Sequence, residues 1–248
     1  MIRQEFIDHF AGKPVDAEHI LIAQDIARSC LTHMNDFLRP GMDRESIHKE
    51  CERYMLEKGS EGWWIHNDPA LILFGDLTAY SAHEDPSPLF EGKTIKENDL
   101  ITIDVAPMVQ NGWGDMARSF VMEEGKIIPW QNCHNKEIRE GMELELKLHQ
   151  LFIASVNEET TFSDLHEIIQ RYLDKEKYFN CDYHGNFGHT IENDEKDRVT
   201  IDKGVNIRIA EYDKPITFEP HICKINGCSG IKCENMYYFH KGKMEEVL

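Results

Sequence analysis

No part of the 248-residue sequence strings together the roughly 18 apolar residues that a membrane-spanning helix needs. The first twenty residues, MIRQEFIDHFAGKPVDAEHI, lack the basic start and apolar run of a secretory signal, so no export is predicted. Basic residues are scarce, 27 Lys and Arg against 45 Asp and Glu, and the formal charge of −18 argues against nucleic acid or an anionic membrane as partner. The plain meaning of that acidity is a soluble chain, and the expected location is the cytoplasm. Seven cysteines, an odd number spread over a long chain, do not make a disulfide framework and fit a reducing compartment. Cys223, Cys228 and Cys233 recur at a regular interval, but a zinc knuckle is spaced more tightly, so they read as ordinary buried or edge cysteines. No stretch is rich enough in Pro or Ser to be a flexible linker. An apolar fraction of 41% is enough for a substantial core.

Residues 16–38 place Ile20, Ile22, Ala23, Ile26, Ala27, Cys30 and Leu31 at helical spacing, with Asp16 as N-cap and RPGM at 39–42 as the stop. Asp43 caps a second helix reaching about Lys58, ended by Gly59. The stretch IHKECERYMLEK (47–58) returns as LHEIIQRYLDKE (165–176), aligning His48 with His166, Arg53 with Arg171 and Tyr54 with Tyr172. Each copy follows a long amphipathic helix, 16–38 or about 135–155, and precedes strand-like sequence. The order of elements therefore repeats. ALILFG (70–75) is an apolar strand. LITIDVAPM and GDMARSFVME bracket VQNG, where Asn111-Gly112 signals a hairpin. The last fifty residues repeat the style, with DKPITFEPHICKI and SGIKCENMYYFHKG on either side of NGCSG. The expectation is one α+β domain, 1–248, with related halves of about 1–125 and 126–248.

Asp104 and Asp115 stand in apolar surroundings, where an unneutralised carboxylate is costly. Side chains alternate along a strand, so Thr102, Asp104 and Ala106 share a face. With a hairpin loop of two or four residues, Asp104 faces position 115, 117 or 119, and Asp115 lies on the same face in every case. Directly opposed Cβ atoms are then about 5 Å apart and diagonal ones about 7–8 Å. Pro107 cannot donate to the ladder, and a bulge there would break this parity. Three neutralisers fit: a salt bridge to Arg118, a shared proton, or a metal ion. Further along stand His184 and His189 in YHGNFGHTIE, Glu219 in TFEPHI and Glu234 in GIKCENMYYF. Four carboxylates in apolar strand contexts and a Gly-flanked histidine form a constellation suited to two divalent ions.

The ordered set Asp104, Asp115, Gly-His at 188–189, Phe-Glu-Pro at 218–220 and Glu234 resembles the superfamily of methionine aminopeptidase, prolidase and aminopeptidase P. ENDLITIDVAPMVQNGWGDMARSFVM is similar to that family's first metal-binding hairpin, and LRPGMDRESIHKECERYMLEKG looks like its helix-turn-helix opening. The resemblance runs from about Asp16 to the C-terminus. It implies a pita-bread fold, a curved antiparallel sheet flanked by helices in two pseudo-symmetric halves. It also implies metal ligands: Asp104 on one ion, Asp115 and Glu234 bridging both, His189 and Glu219 completing the other. Manganese is the first choice, with cobalt, zinc or iron as alternatives. His83 takes the place of the histidine that meets the substrate, and Glu219 can pass a proton to the leaving amine. A shifted alignment exchanges His189 for His184 as ligand, and His184 stands as a further catalytic candidate. At seven residues beyond His189, where the family often has another histidine, this sequence has Lys196 within an acidic insertion, ENDEKDRV.

The implied activity is metal-assisted hydrolysis of short peptides near their N-terminus, of the Xaa-Pro type. Two alternatives stand beside it. One is a creatinase-like or other C–N hydrolase acting on a small amide metabolite. The other is methionine aminopeptidase, although residues of a methionine pocket are not evident. Neither nucleic acid nor membrane is expected as a partner, and a homodimer is allowed.

Overall fold

The computed structural model describes residues 2–64, 68–80 and 86–247. Helix α1 (Ile2–Phe10) precedes α2 (Ala17–Phe37), which Asp16 caps by accepting from the His19 backbone N–H. Asp43 caps α3 (Arg44–Glu57) in the same way through Ser46 N, and Gly59 ends the run at φ +102°. The long helix α4 (Lys136–Ser155) starts at the Asn135 cap, and α5 (Phe162–Glu176) carries a full capping box between Thr161 and Asp164. A short α6 (Ile209–Tyr212) follows. The 118-residue offset of the sequence repeat relates the ends of α2 and α4 and the starts of α3 and α5. Ile22, one of the residues at helical spacing, is exposed, while its companions in α2 are buried.

The strands pair antiparallel in four sheets among the described residues. The first half holds β2 (Leu71–Phe74), β3 (Asp99–Val105), β6 (Met116–Glu123) and β7 (Lys126–Ile128), in that spatial order. Beside them, β1 (Gly62–Trp63) pairs with β4 (Pro107–Val109), which pairs with β5 (Gly112–Trp113). The second half pairs β8 (Tyr178–Asn180), β10 (His221–Lys224) and β11 (Gly230–Lys232), and separately β9 (Ile216–Phe218), β12 (Asn235–His240) and β13 (Lys243–Glu246). A bridge between Arg118 and Cys233 joins the halves. Two cores follow this division. One packs α2 and α3 on β2, β3 and β6; the other packs α4 and α5 on the strands of the second half.

The central hairpin keeps one register from end to end. Asp104 pairs with Ala117, Val105 with Met116, Met108 with Trp113 and Val109 with Gly112. Pro107 leaves that register intact: its carbonyl accepts from Gly114 N at 2.9 Å. The two turn residues are Gln110 and Asn111, not Asn111 and Gly112, and Gln110 takes the positive φ of +51°. The Asn-Gly signal is displaced because glycine is needed one position later for packing. A Cβ on Gly112 would lie 2.2 Å from the His19 carbonyl carbon, and one on Gly114 would lie 2.4 Å from Ala23 O. Glycine lets α2 lie directly on the hairpin.

All seven cysteines are free. Among the described residues, no helix is long and apolar enough to cross a membrane.

His149 on α4 is buried between the Tyr237 hydroxyl, 2.7 Å from Nδ1, and the Cys233 carbonyl, which accepts from Nε2 at 3.1 Å. Burial lowers its pKa from the ordinary 6.5 to about 4. Between those values the unfolded chain binds a proton that the folded chain does not. Stability should therefore fall with acidification by roughly 1.4 kcal/mol per pH unit for this group. Urea unfolding at about pH 7 and about pH 5 measures the slope, and His149→Gln should lower it by about one proton. An unchanged slope in that variant would contradict the assignment.

Candidate functional site

The candidate residues converge from elements far apart in sequence. Asp104 lies within β3, opposite Leu71 and Ala117. The other three carboxylates sit where strands are interrupted. Asp115 falls between β5 and β6, Glu219 between β9 and β10 before Pro220, and Glu234 between β11 and β12. These breaks leave the three residues outside regular strand pairing.

Two helix and strand contacts hold these breaks. On α2, the buried Gln24 amide accepts from Asp115 N at 2.8 Å and donates to Asp115 O at 3.1 Å. Arg118 donates to Glu234 O at 2.6 Å, to Ala117 O at 2.7 Å and to Asn235 Oδ1 at 2.6 Å. Its guanidinium thus holds backbone rather than pairing with Asp104 or Asp115. His189 follows Gly188, whose φ of +143° and 2.1 Å clearance from an added Cβ to Thr217 O admit only glycine.

At the centre, Asp115, Glu234 and His189 are exposed by only 2%, 1% and 4%. Asp115 Oδ2 and both carboxylate oxygens of Glu234 have no hydrogen-bond partner. Burial pushes both carboxyls well above the usual range. For Asp115 the charges of Asp104 and Glu219 add to this, and for Glu234 the charge of Asp115 comes next. His189 Nδ1 donates to Thr190 O at 3.1 Å, since a carbonyl only accepts. Nε2 is left as an acceptor, 3.6 Å from Asp115 Oδ2 and 3.5 Å from Glu219 Oε1. Burial lowers the His189 pKa and favours the neutral ring. A neutral imidazole whose far nitrogen is fixed by a carbonyl is the form that ligates metals.

Lys232, on β11, is buried to 9% exposure. Its ammonium lies 2.5 Å from Asp104 Oδ2 and 2.8 Å from Glu219 Oε2. Burial alone would lower the lysine pKa, but the charges of Asp104, Glu219 and Glu234 outweigh it and keep the ammonium charged. Burial alone would likewise raise Glu219, but the charge of Lys232 and the hydrogen bond it donates hold that carboxyl below its usual range.

Two groups have the donor atoms for a cation: Asp115, His189 and Glu234, and Asp104, Glu219 and Glu234, each with its ligand atoms within 4.8 Å of one another. The buried, donorless oxygens of Asp115 and Glu234 are those a cation would satisfy. His184 is not in either group. It is exposed, its ring packs 5.0 Å from that of Tyr183, and its backbone N–H donates to Asp182 Oδ1. His83 lies outside the described residues.

Three neighbours of the centre were missed by sequence reasoning: Lys232, Gln24 and Trp64. The Trp64 ring is 4.9 Å from that of His189, with Trp113 at 5.8 Å and the Arg198 guanidinium 5.9 Å above it. A lysine two residues before Glu234 in an apolar strand was the one available hint.

Replacing Gln24 with Leu removes both bonds to the Asp115 backbone while conserving much of the volume. Chemical denaturation should show a loss of roughly 1–3 kcal/mol, the cost of leaving a buried donor and acceptor unmade. An unchanged midpoint would mean that α2 does not hold this turn.

A family model described as metallopeptidase family M24 matches residues 18–241. A methionine aminopeptidase of Buchnera aphidicola subsp. Acyrthosiphon pisum is 25% identical over 160 residues, 63% of this chain and 56% of that protein. Among solved structures, an X-Pro aminopeptidase from Thermotoga maritima superposes with a TM-score of 0.75 at 18% identity, covering 93% of this chain and 59% of that one. The prolidase of Pyrococcus furiosus gives 0.69 at 20%, covering 93% and 62%. A methionine aminopeptidase from Thermotoga maritima gives 0.71 at 14%, covering 93% and 95%. These likenesses establish the pita-bread fold. The chain spans about 60% of the length of the X-Pro aminopeptidase and the prolidase, and 56% of the Buchnera protein.

Proposed function

Because the chain belongs to metallopeptidase family M24, we propose that it is a metal-dependent peptidase cleaving short peptides near their N-terminus, of the Xaa-Pro type. The observation that carries this is the set of donorless oxygens on Asp115 and Glu234, buried beside the acceptor nitrogen of His189. Asp104, Asp115, His189, Glu219 and Glu234 would hold the divalent ions, up to two, with manganese first because carboxylate donors dominate the set. Such ions, when bound, supply Lewis-acid polarisation and an acidified water.

The chain's own groups supply the rest. Thr190 fixes the His189 tautomer, and Lys232 keeps Glu219 ionised and able to take up a proton and return it to the leaving amine. Trp64 and Trp113 offer an apolar face beside His189 on which a proline ring can pack. His83 is proposed as a substrate contact and His184 as a further catalytic candidate, both from sequence. The working location is the cytoplasm, with a homodimer allowed. A second reading, methionine aminopeptidase, is favoured by the 160-residue similarity to the Buchnera enzyme.

The test is metal-stripped protein given Mn²⁺ or Co²⁺ and a panel of Xaa-Pro, Met-Xaa and Pro-Xaa peptides. Turnover should require metal and favour Xaa-Pro peptides. Asp115→Asn should lower kcat/KM by about 100-fold or more with its circular dichroism unchanged. Preference for Met-Xaa selects the second reading. Full activity in Asp115→Asn refutes the site, and silence across the panel with metal bound points to a small amide instead.

A further inference from the structure

The sequence repeat aligns His48 with His166, and the two histidines make matching contacts. His48, on α3, lies 2.6 Å through Nε2 from Asp68 Oδ1, and the same oxygen accepts from Ala70 N at 3.2 Å. Ala70 leads into β2, whose first residue, Leu71, pairs with Asp104. The 118-residue offset carries Asp68 onto Asn186. His166, on α5, reaches the residue next to it: Nε2 donates to Gly185 O at 3.1 Å, since a carbonyl only accepts. In each half a helix histidine holds the segment that runs into the site.

The segment held by His166 is a tight turn. The Asp182 carboxylate accepts from His184 N at 2.9 Å, Asn186 N at 3.2 Å and Asn186 Nδ2 at 3.0 Å, and Gly185 takes a φ of +78°. Both ends of the turn are anchored at the carboxylate centre. Before it, Cys181 N donates to His221 O at 2.6 Å, two residues beyond Glu219. After it, Asn186 Oδ1 accepts from Gly188 N at 3.0 Å, one residue before His189. Between these ends Tyr183 and His184 are exposed. The His166 ring packs 5.1 Å from that of Phe187, and its Nδ1 is buried without a partner. Its one hydrogen bond therefore goes to the crest of the turn.

We propose that His166 is a positioning residue for peptide binding: by holding Gly185 O it fixes the turn at 182–186, so that Tyr183 and His184 stand beside the carboxylate centre in the arrangement that receives the substrate. This rests on the peptidase reading above and extends it from the ion-holding residues to the wall that meets the peptide. His166 acts through the turn and not on the reacting atoms.

Hydrogen exchange of the metal-stripped full chain, read by mass spectrometry on peptides covering 182–189, reports the clamp without turnover. His166→Phe keeps a ring against Phe187 and removes the donor. Exchange across this stretch should then speed up by about tenfold or more. His166→Gln restores an N–H donor and should return exchange to within about threefold of the wild type. With Mn²⁺ and the peptide panel, His166→Phe should raise KM by about five- to tenfold and leave kcat within about twofold, and His166→Gln should recover KM. Should His166→Phe fold poorly, His166→Leu removes the same donor. Unchanged exchange in a folded variant would overturn the proposal alone, and so would faster exchange with an unchanged KM. Silence of the wild type across the panel would overturn the peptidase reading and this proposal with it.

Discussion

Repulsion among four carboxylates gathered at one buried centre is the constraint on which the rest of this molecule depends. Asp104, Asp115, Glu219 and Glu234 meet where two of them, Asp115 and Glu234, have lost contact with water, and a single ammonium stands against them. Two unit charges 4 Å apart repel by about 4 kcal/mol under the screening typical of protein surfaces. Nothing local to any one carboxylate makes that arrangement favourable. It is imposed by the scaffold: Gln24 holds the Asp115 backbone from α2, Arg118 holds that of Glu234, and Gly188 lets His189 approach Thr217. Each of these contacts fixes backbone, so the charged side chains are left for one another and for a cation.

The two halves cooperate at this centre. The first contributes Asp104 and Asp115 from one hairpin; the second contributes His189, Glu219, Lys232 and Glu234 from segments around its own ladders. The Arg118 and Cys233 bridge is the seam between them. Helices from both halves reach the segments that carry the site, each through a buried polar residue: Gln24 of α2 bonds the Asp115 backbone, and His149 of α4 bonds the Cys233 carbonyl beside Glu234.

Much of this was legible in the sequence wherever local chemistry decides. The caps at Asp16 and Asp43 mark helix starts because a side-chain acceptor there meets a backbone donor. Strand parity placed Asp104 and Asp115 on one face, and the observed register preserves it through Pro107. The hairpin turn was read one residue late because Gly112 answers to α2 packing rather than to turn chemistry. What sequence reading missed are the long-range pairings. Lys232 reaches Asp104 across 128 positions and Gln24 reaches Asp115 across 91, and no spacing rule connects them. Arg118, the nearest cation in sequence, was the natural salt-bridge candidate, yet its guanidinium is taken up by carbonyls. Glu145 escaped for a different reason. On a helix it looks like a surface residue, but it is buried without partners, and burial pushes its carboxyl well up toward the neutral form.

The central claim is that the buried oxygens of Asp115 and Glu234, with His189 Nε2, form a cation site. The most direct measurement is anomalous diffraction from crystals of the full chain grown in Mn²⁺, collected on both sides of the manganese edge. The account predicts a strong anomalous peak within about 2.0–2.4 Å of ligand atoms of Asp115, His189 and Glu234. A peak at His184 and away from these residues, or none in the centre of the fold at saturating Mn²⁺, would contradict it.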